Sequence, residues 1–158
     1  MEEKIPMTRK GYDALQQELT KLKFEDRHAI IAAIEEARAH GDLSENAEYH
    51  AARERQSFTE GRIQELEYAI GRAQIIDVEK LSGNKVVFGA TVTVRDDDTD
   101  QQQTYQIVGQ YEANLEKGLI SFQSPVARAL IGKEVGDFVE LRTPGGTKTY
   151  EIMTVRFQ

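Results

Sequence analysis

His40-Gly41-Asp42-Leu43-Ser44-Glu45-Asn46-Ala47-Glu48-Tyr49-His50 separates two long runs that both carry the period of an α-helix, and neither run is broken elsewhere. Glycine reaches left-handed backbone angles at little steric cost, so Gly41 is the natural stop of the first run. Asp42 is placed to cap the second. Two acids, Asp42 and Glu45, therefore fall at the far end of a hairpin, where they have no core to stabilise.

Working outward, Tyr12, Leu15, Leu19 and Leu22 recur at intervals of three, four and three, as do Ile63, Leu66, Ile70 and Ala73. That is the spacing of an apolar seam along one helix face. Folded back antiparallel, Tyr12 meets Ala73, Leu15 meets Ile70, Leu19 meets Leu66 and Leu22 meets Ile63. This register is centred between Asp42 and Leu43, so the seam and the glycine locate the same turn independently. Nearer the tip it sets Arg27 against Phe58, Ile30 against Arg55, Ala33 against Ala52 and Ile34 against Ala51. The seam thus narrows and grows more polar, and Arg27 and Arg55 break strict heptad geometry. Thr8, after Pro6 and Met7, is the expected N-cap of the first helix. Arms of roughly 30 residues at about 1.5 Å per residue give a rod on the order of 45 Å long. Such a rod is too thin to be a domain core.

At 158 residues, 39% hydrophobic and 30% charged, the chain has material for one or two small soluble domains. It has no run of about 18 apolar residues, and Met1-Glu2-Glu3-Lys4-Ile5-Pro6 is not a basic region leading into an apolar one. A cytoplasmic, unanchored protein with no membrane partner is expected. The absence of cysteine excludes disulfides, thiolate metal sites and cysteine nucleophiles. A formal charge of −7 argues against broad nucleic-acid binding, so any such contact is local.

Ser82-Gly83-Asn84 marks a boundary, and from Lys85 the period switches to two. Strands are expected at Val86–Phe88, Thr91–Val94, Thr104–Val108, Leu119–Phe122, Phe138–Leu141 and Tyr150–Val155, with Pro144-Gly145-Gly146 turning the last pair. Ser124 as N-cap, Pro125 at the first helical position and Gly132 beyond the end punctuate one short helix. The fold class is α+β: residues 1–76 form an antiparallel coiled-coil hairpin with an acidic tip near 42–45, residues 77–84 a linker, and residues 85–158 an antiparallel sheet with one helix.

The acids at the tip admit two readings. As a capping box, Asp42 at the N-cap and Glu45 at the third helical position satisfy amides that lack helical partners, favoured by the helix dipole. As metal ligands, the pair suits magnesium, which prefers oxygen donors, yet two carboxylates are too few to hold it. The rest of such a site would belong to a partner. Arg38 and Arg53 flank the tip as solvated charges or as phosphate contacts, and Asn46 and Tyr49 either decorate the helix or meet a nucleic-acid end. His40 and His50 lack the His-Glu-x-x-His pattern of a zinc site. Asp96-Asp97-Asp98-Thr99-Asp100 fails as a calcium loop, because Gln101 stands in place of the turn glycine and Ile107 in place of the bidentate glutamate. No nucleophile, phosphate loop or acid–base pair is evident, and the chain by itself does not read as an enzyme.

Gly41 to Tyr49, Ala51-Ala52-Arg53-Glu54, Val87-Phe88-Gly89-Ala90-Thr91-Val92, Ile120-Ser121, Ser124-Pro125 and Leu130-Ile131-Gly132-Lys133 resemble the bacterial Gre transcript cleavage factors. The likeness spans the whole chain. Its thin basic patch is nearer the GreA type than the more basic GreB type, and Ser44 stands where the family often carries lysine. The resemblance implies an FKBP-like C-terminal domain that docks, through Ser124 and Pro125, at the rim of the secondary channel of bacterial RNA polymerase. It implies a coiled coil that enters that channel, with Asp42 and Glu45 sharing a magnesium ion with the polymerase. Arg38, Asn46, Tyr49 and Arg53 match tip positions near the 3′ end of the nascent RNA. The chain would need no cofactor of its own and would stimulate the polymerase's own hydrolysis of backtracked RNA. Two rivals on the same scaffold are a channel-binding transcription inhibitor and, from another class, a peptidyl-prolyl isomerase.

Overall fold

The computed structural model describes residues 3–42 and 46–157. The chain divides into two compact units: one contains Tyr12–Ala73, and the other joins Lys4–Gly11 to the chain from Gln74 onward.

The first unit is a helical hairpin. Its first arm runs through α1 (Arg9–Lys21), a π-helical turn at Leu22–Asp26, and α2 (Arg27–Arg38); the second arm is one helix, α3 (Ala47–Gly71). A π turn takes more residues than an α turn, so it rotates the following face relative to the preceding one. Leu15 is buried below it, and Ile30 and Ala37 are buried above it. A strict heptad continued from Leu22 would have turned Asp26 and Ala29 inward instead. The opposite arm needs no such correction, and Ala52, Thr59, Ile63, Leu66 and Ala69 line its buried face.

The expected pair of Arg27 and Phe58 is not a buried seam contact: Phe58 is 77% exposed, and Arg27 has another partner. Its guanidinium instead forms a fork with Glu60, at 2.9 and 2.8 Å, and Arg62 repeats the motif on Glu18 at 2.9 Å twice. The hydrogen bonds that Arg27 donates to Glu60 hold the Glu60 carboxyl below its ordinary range and raise the Arg27 guanidinium. A seam with so few large apolar side chains leaves alternative registers close in energy, and bidentate pairs on its flanks select one of them.

The second unit is built on a five-stranded sheet: β3 (Thr91–Asp96), β4 (Gln102–Val108), β5 (Leu119–Ser121), β6 (Phe138–Thr143) and β7 (Gly146–Arg156), in the order β5-β4-β3-β7-β6. Val92, Val94, Ile107, Ile120, Val139 and Ile152 face one core with Ala127 and Leu130 of α4 (Pro125–Leu130). The β3–β7 register slips between Thr93 and Val94, and such an irregularity increases local twist.

Three differences from the sequence expectations have identifiable causes. The sheet is mixed rather than purely antiparallel, because Gln106, Ile107 and Val108 pair in parallel with Leu119, Ile120 and Ser121. The connection between these strands reverses the chain twice, ending at Gly118 with φ +74°, where a side chain would lie 2.8 Å from the Thr104 carbonyl oxygen. Val86–Phe88 is not a strand: Val86 donates to the Lys133 carbonyl and accepts from the Gly132 amide, both at 2.8 Å. Finally, β1 (Ile5–Thr8) and β2 (Ala73–Ile76) form a two-stranded sheet, so Ala73 ends up in a strand and not in the helical seam.

Thr8 caps α1 as expected, its hydroxyl accepting from the Gly11 amide at 3.0 Å. The same hydroxyl donates to Glu112 Oε1, while Glu112 Oε2 accepts from the amides of Thr8 at 3.1 Å and Gly109 at 2.8 Å. One carboxylate therefore ties the segment entering α1 to the loop that follows β4. A Cβ on Gly11 would lie 1.9 Å from Glu112 Oε1, so a side chain there would displace the carboxylate from these bonds.

Asp96 sits at the end of β3 and is 5% exposed. Its Oδ1 accepts from the amides of Asp98 at 2.9 Å and Thr99 at 3.4 Å, and Lys148 lies 3.6 Å from Oδ2. These bonds, led by that from Asp98, hold its carboxyl below the ordinary aspartate range. The acidic stretch is thus a tight turn with internal partners.

Two outcomes are expected. Glu112→Ala costs about 1–3 kcal/mol in denaturant unfolding, and Gly11→Ala acts on the same carboxylate, so the double variant costs clearly less than the sum. For Asp96, the stabilisation is complete above the unfolded pKa of about 3.9 and is lost as pH falls through the lower folded value. Unfolding curves should therefore show the stability gap between the native chain and Asp96→Asn narrowing on acidification below that range.

Candidate functional site at the hairpin tip

The first arm ends by running out of regular helical hydrogen bonds. Ala39 donates to the Glu35 and Glu36 carbonyls at 3.3 and 3.2 Å, His40 donates to Ala37 at 3.1 Å, and Gly41 follows at φ +118°. Only glycine adopts that backbone readily, so Gly41 terminates the helix where the sequence places the stop. Asp42 comes next and is exposed.

The second arm begins later than expected. Asn46, not Asp42, is the N-cap of α3, with φ −87° and ψ 99° and its side-chain oxygen accepting from the Tyr49 amide at 3.0 Å. The capping box of Asp42 and Glu45 is therefore corrected: the N-cap lies four residues beyond Asp42, and Asn is as good a cap as Asp. Glu45, with Leu43 and Ser44, lies outside the described residues. Glu48 takes the place of an acid in the first turn, where the helix dipole favours it.

Asp42 and Asn46 line one open hollow at the tip with His40, Ala47 and Glu48. Among the described residues Arg38, Tyr49 and Arg53 do not line it. Arg38 ends α2 and is exposed, a favourable place for a cation near the carboxyl end of a helix. Arg53 is exposed on α3, and the half-buried Tyr49 ring sets its edge against His50 with centroids 5.6 Å apart at 65°. Two cations and an aromatic ring thus lie on the two arms near the tip, Arg38 at the end of α2 and Tyr49 and Arg53 in the first turns of α3.

Among the described residues no group of three or more histidine, aspartate or glutamate side chains is placed to hold a metal ion. Nor is any helix among them long and apolar enough to cross a membrane. In the sheet unit, Ser124 caps α4 by accepting from the Ala127 amide at 3.2 Å, and Pro125, the first residue of α4, is exposed. What sequence inspection missed at the tip is the role of Asn46. Asn46 is a good cap by residue type, but Asp42 is an equally good one, and no sequence signal separates them.

Residues 5–75 match the family of transcription elongation factor N-terminal domains, and residues 81–157 match the GreA/GreB C-terminal domains of transcription elongation factors. Transcription elongation factor GreA of Rhodospirillum rubrum is 63% identical over 155 residues, covering 98% of this chain and 99% of that protein. The GreA of Beijerinckia indica is 62% identical over 156 residues, covering 99% of each. Among solved structures, the GreA factor homolog Gfh1 of Thermus thermophilus is 28% identical with a TM-score of 0.45, covering 98% of this chain and 99% of that one. With both halves matched in order and nearly every residue covered, the chain belongs to the GreA/GreB family of transcription elongation factors.

Proposed function

We propose that this protein rescues backtracked bacterial RNA polymerase by inserting its hairpin into the secondary channel and stimulating the polymerase's own cleavage of the nascent RNA 3′ end. The observation that carries this reading is an exposed Asp42 where the first arm of a two-helix hairpin ends, in a chain whose relatives are named elongation factors. A two-helix rod is about 20–24 Å across its wider dimension, given helix diameters of about 10–12 Å. It reaches into a cavity that a globular domain cannot enter.

A magnesium ion suits the tip only as a shared ion. Asp42 offers hard oxygen donors, but the described residues contain no further set of ligands around it. When bound jointly with the polymerase, such an ion supplies Lewis acidity and an activated water for phosphodiester hydrolysis. The residues of this chain then have separable tasks. Asp42, with Glu45 by resemblance, contributes negative charge and ligand oxygens. Arg38 and Arg53 attract the RNA phosphates, for which the guanidinium fork is suited. Tyr49 presents a ring beside them. Ser124 and Pro125 dock at the channel rim, the exposed proline being accessible while the serine hydroxyl remains occupied as a cap. The protein acts as an accessory factor and not as an enzyme in its own right.

The test uses a bacterial RNA polymerase stalled in a backtracked state on 3′-labelled RNA, with magnesium. The native chain is expected to release short labelled 3′ fragments that do not appear without it. Binding to the polymerase without fragment release would replace this reading with that of an inhibitor. Because Asn46 supplies the cap, Asp42→Asn should still fold and melt cooperatively while losing most of the cleavage stimulation. Unchanged cleavage by that variant would remove Asp42 from the reaction.

A further inference from the structure

Asn46 uses both ends of its carboxamide within the hairpin. Its Oδ1 accepts from the Tyr49 amide at the start of α3, and its Nδ2 donates to the Ala37 carbonyl in the last turn of α2. The first bond satisfies an amide that every helix start leaves without a partner, and the second reaches a carbonyl near the opposite helix end. One side chain therefore bonds the end of one arm to the beginning of the other.

An N-cap alone does not account for an amide here. Aspartate and serine cap as well as asparagine does. A carboxylate, however, has only acceptors and would face the Ala37 carbonyl with like charge, and a hydroxyl has a single atom with which to serve both arms. We propose that Asn46 is a positioning residue for Asp42, a clamp between the arms that fixes the backbone on both sides of the residues joining α2 to α3. The RNA contact implied by resemblance for Asn46 gives way to a task performed through Asp42. Gly41 supplies the turn and Asn46 holds it: Ala37 accepts from both the Asn46 amide group and the His40 backbone amide, so the clamp and the last turn before Gly41 share one carbonyl.

The catalytic consequence rests on the cleavage reading above, whereas the clamp itself is testable without polymerase. The variant of choice is Asn46→Asp, which keeps the cap and removes the donor, with Asn46→Ser as a second cap that also lacks the amide. In the full-length chain, amide hydrogen exchange at Tyr49 should remain slow in Asn46→Asp, while His40 and Gly41 exchange roughly 10-fold faster. With stalled polymerase, the maximal cleavage rate should fall about 10-fold or more, because small misplacements of a reacting group are costly. The protein concentration giving half-maximal cleavage should not move.

Unchanged exchange at His40 and Gly41 in both variants overturns the clamp, whatever the polymerase does. Faster exchange with an unaltered maximal rate, in a preparation where the native chain stimulates cleavage, overturns the assignment of Asn46 as a positioning residue for Asp42. If the native chain does not stimulate cleavage at all, it is the cleavage reading that fails. The exchange measurement then decides the clamp alone.

Discussion

The two arms of the hairpin share a seam only one or two side chains wide, and everything at the tip requires that they end level. A slip of one helical turn would move the end of one arm by about 5.4 Å relative to the other and carry Asp42 away from Asn46. Apolar packing is a poor guard against such a slip, because Ala37, Ala52 and Ala69 are small and interchangeable along the seam. Directional bonds do better. The forks of Arg27 on Glu60 and of Arg62 on Glu18 fit one alignment of the arms, and the amide of Asn46 fits the same alignment at the far end.

That division of labour explains why a polar, thin structure suffices. Exposed ion pairs contribute little to net stability, and Arg27 and Glu60 are substantially solvated. Their value lies in geometry: a bidentate pair is satisfied in one register and broken in its neighbours. The sheet unit is organised differently, around a core in which Val92, Ile107, Leu130 and Ile152 are almost wholly removed from water. There, burial supplies the stability, and polar groups such as Asp96 and Glu112 fix turns and loops.

Patterns carried by neighbouring residues were legible in the sequence. The alternation of β3, the Ser124, Pro125 and Gly132 punctuation of α4, the Thr8 cap and the Gly41 stop all follow from local sterics and hydrogen bonding. The seam residues Leu15, Ile63 and Leu66 were legible from helical spacing. Features determined by distant partners were not. Nothing local marks Glu112 as the acceptor for Thr8, and the parallel pairing of β5 depends on where the intervening chain returns. The π turn belongs between these cases: Arg27 at an expected seam position was a visible conflict, but its resolution required the rotated face above Asp26. At the tip, Asp42 and Asn46 are both good caps, and the sequence does not rank them.

The sheet unit is assembled from discontinuous stretches of chain, since Lys4–Gly11 belongs with residues from Gln74 onward. Its tie is Glu112, 104 positions after Thr8. During synthesis from the N-terminus, Tyr12–Ala73 leaves the ribosome with all its internal partners present and is able to pair its arms at once. The hydrogen bonds between Thr8 and Glu112 have no such opportunity. They wait until Glu112 has been added, and at about 5–20 residues per second that delay lasts several seconds. The Thr8 side of this tie is therefore made long before its partner, and the hairpin is able to pair its arms before the sheet unit can close.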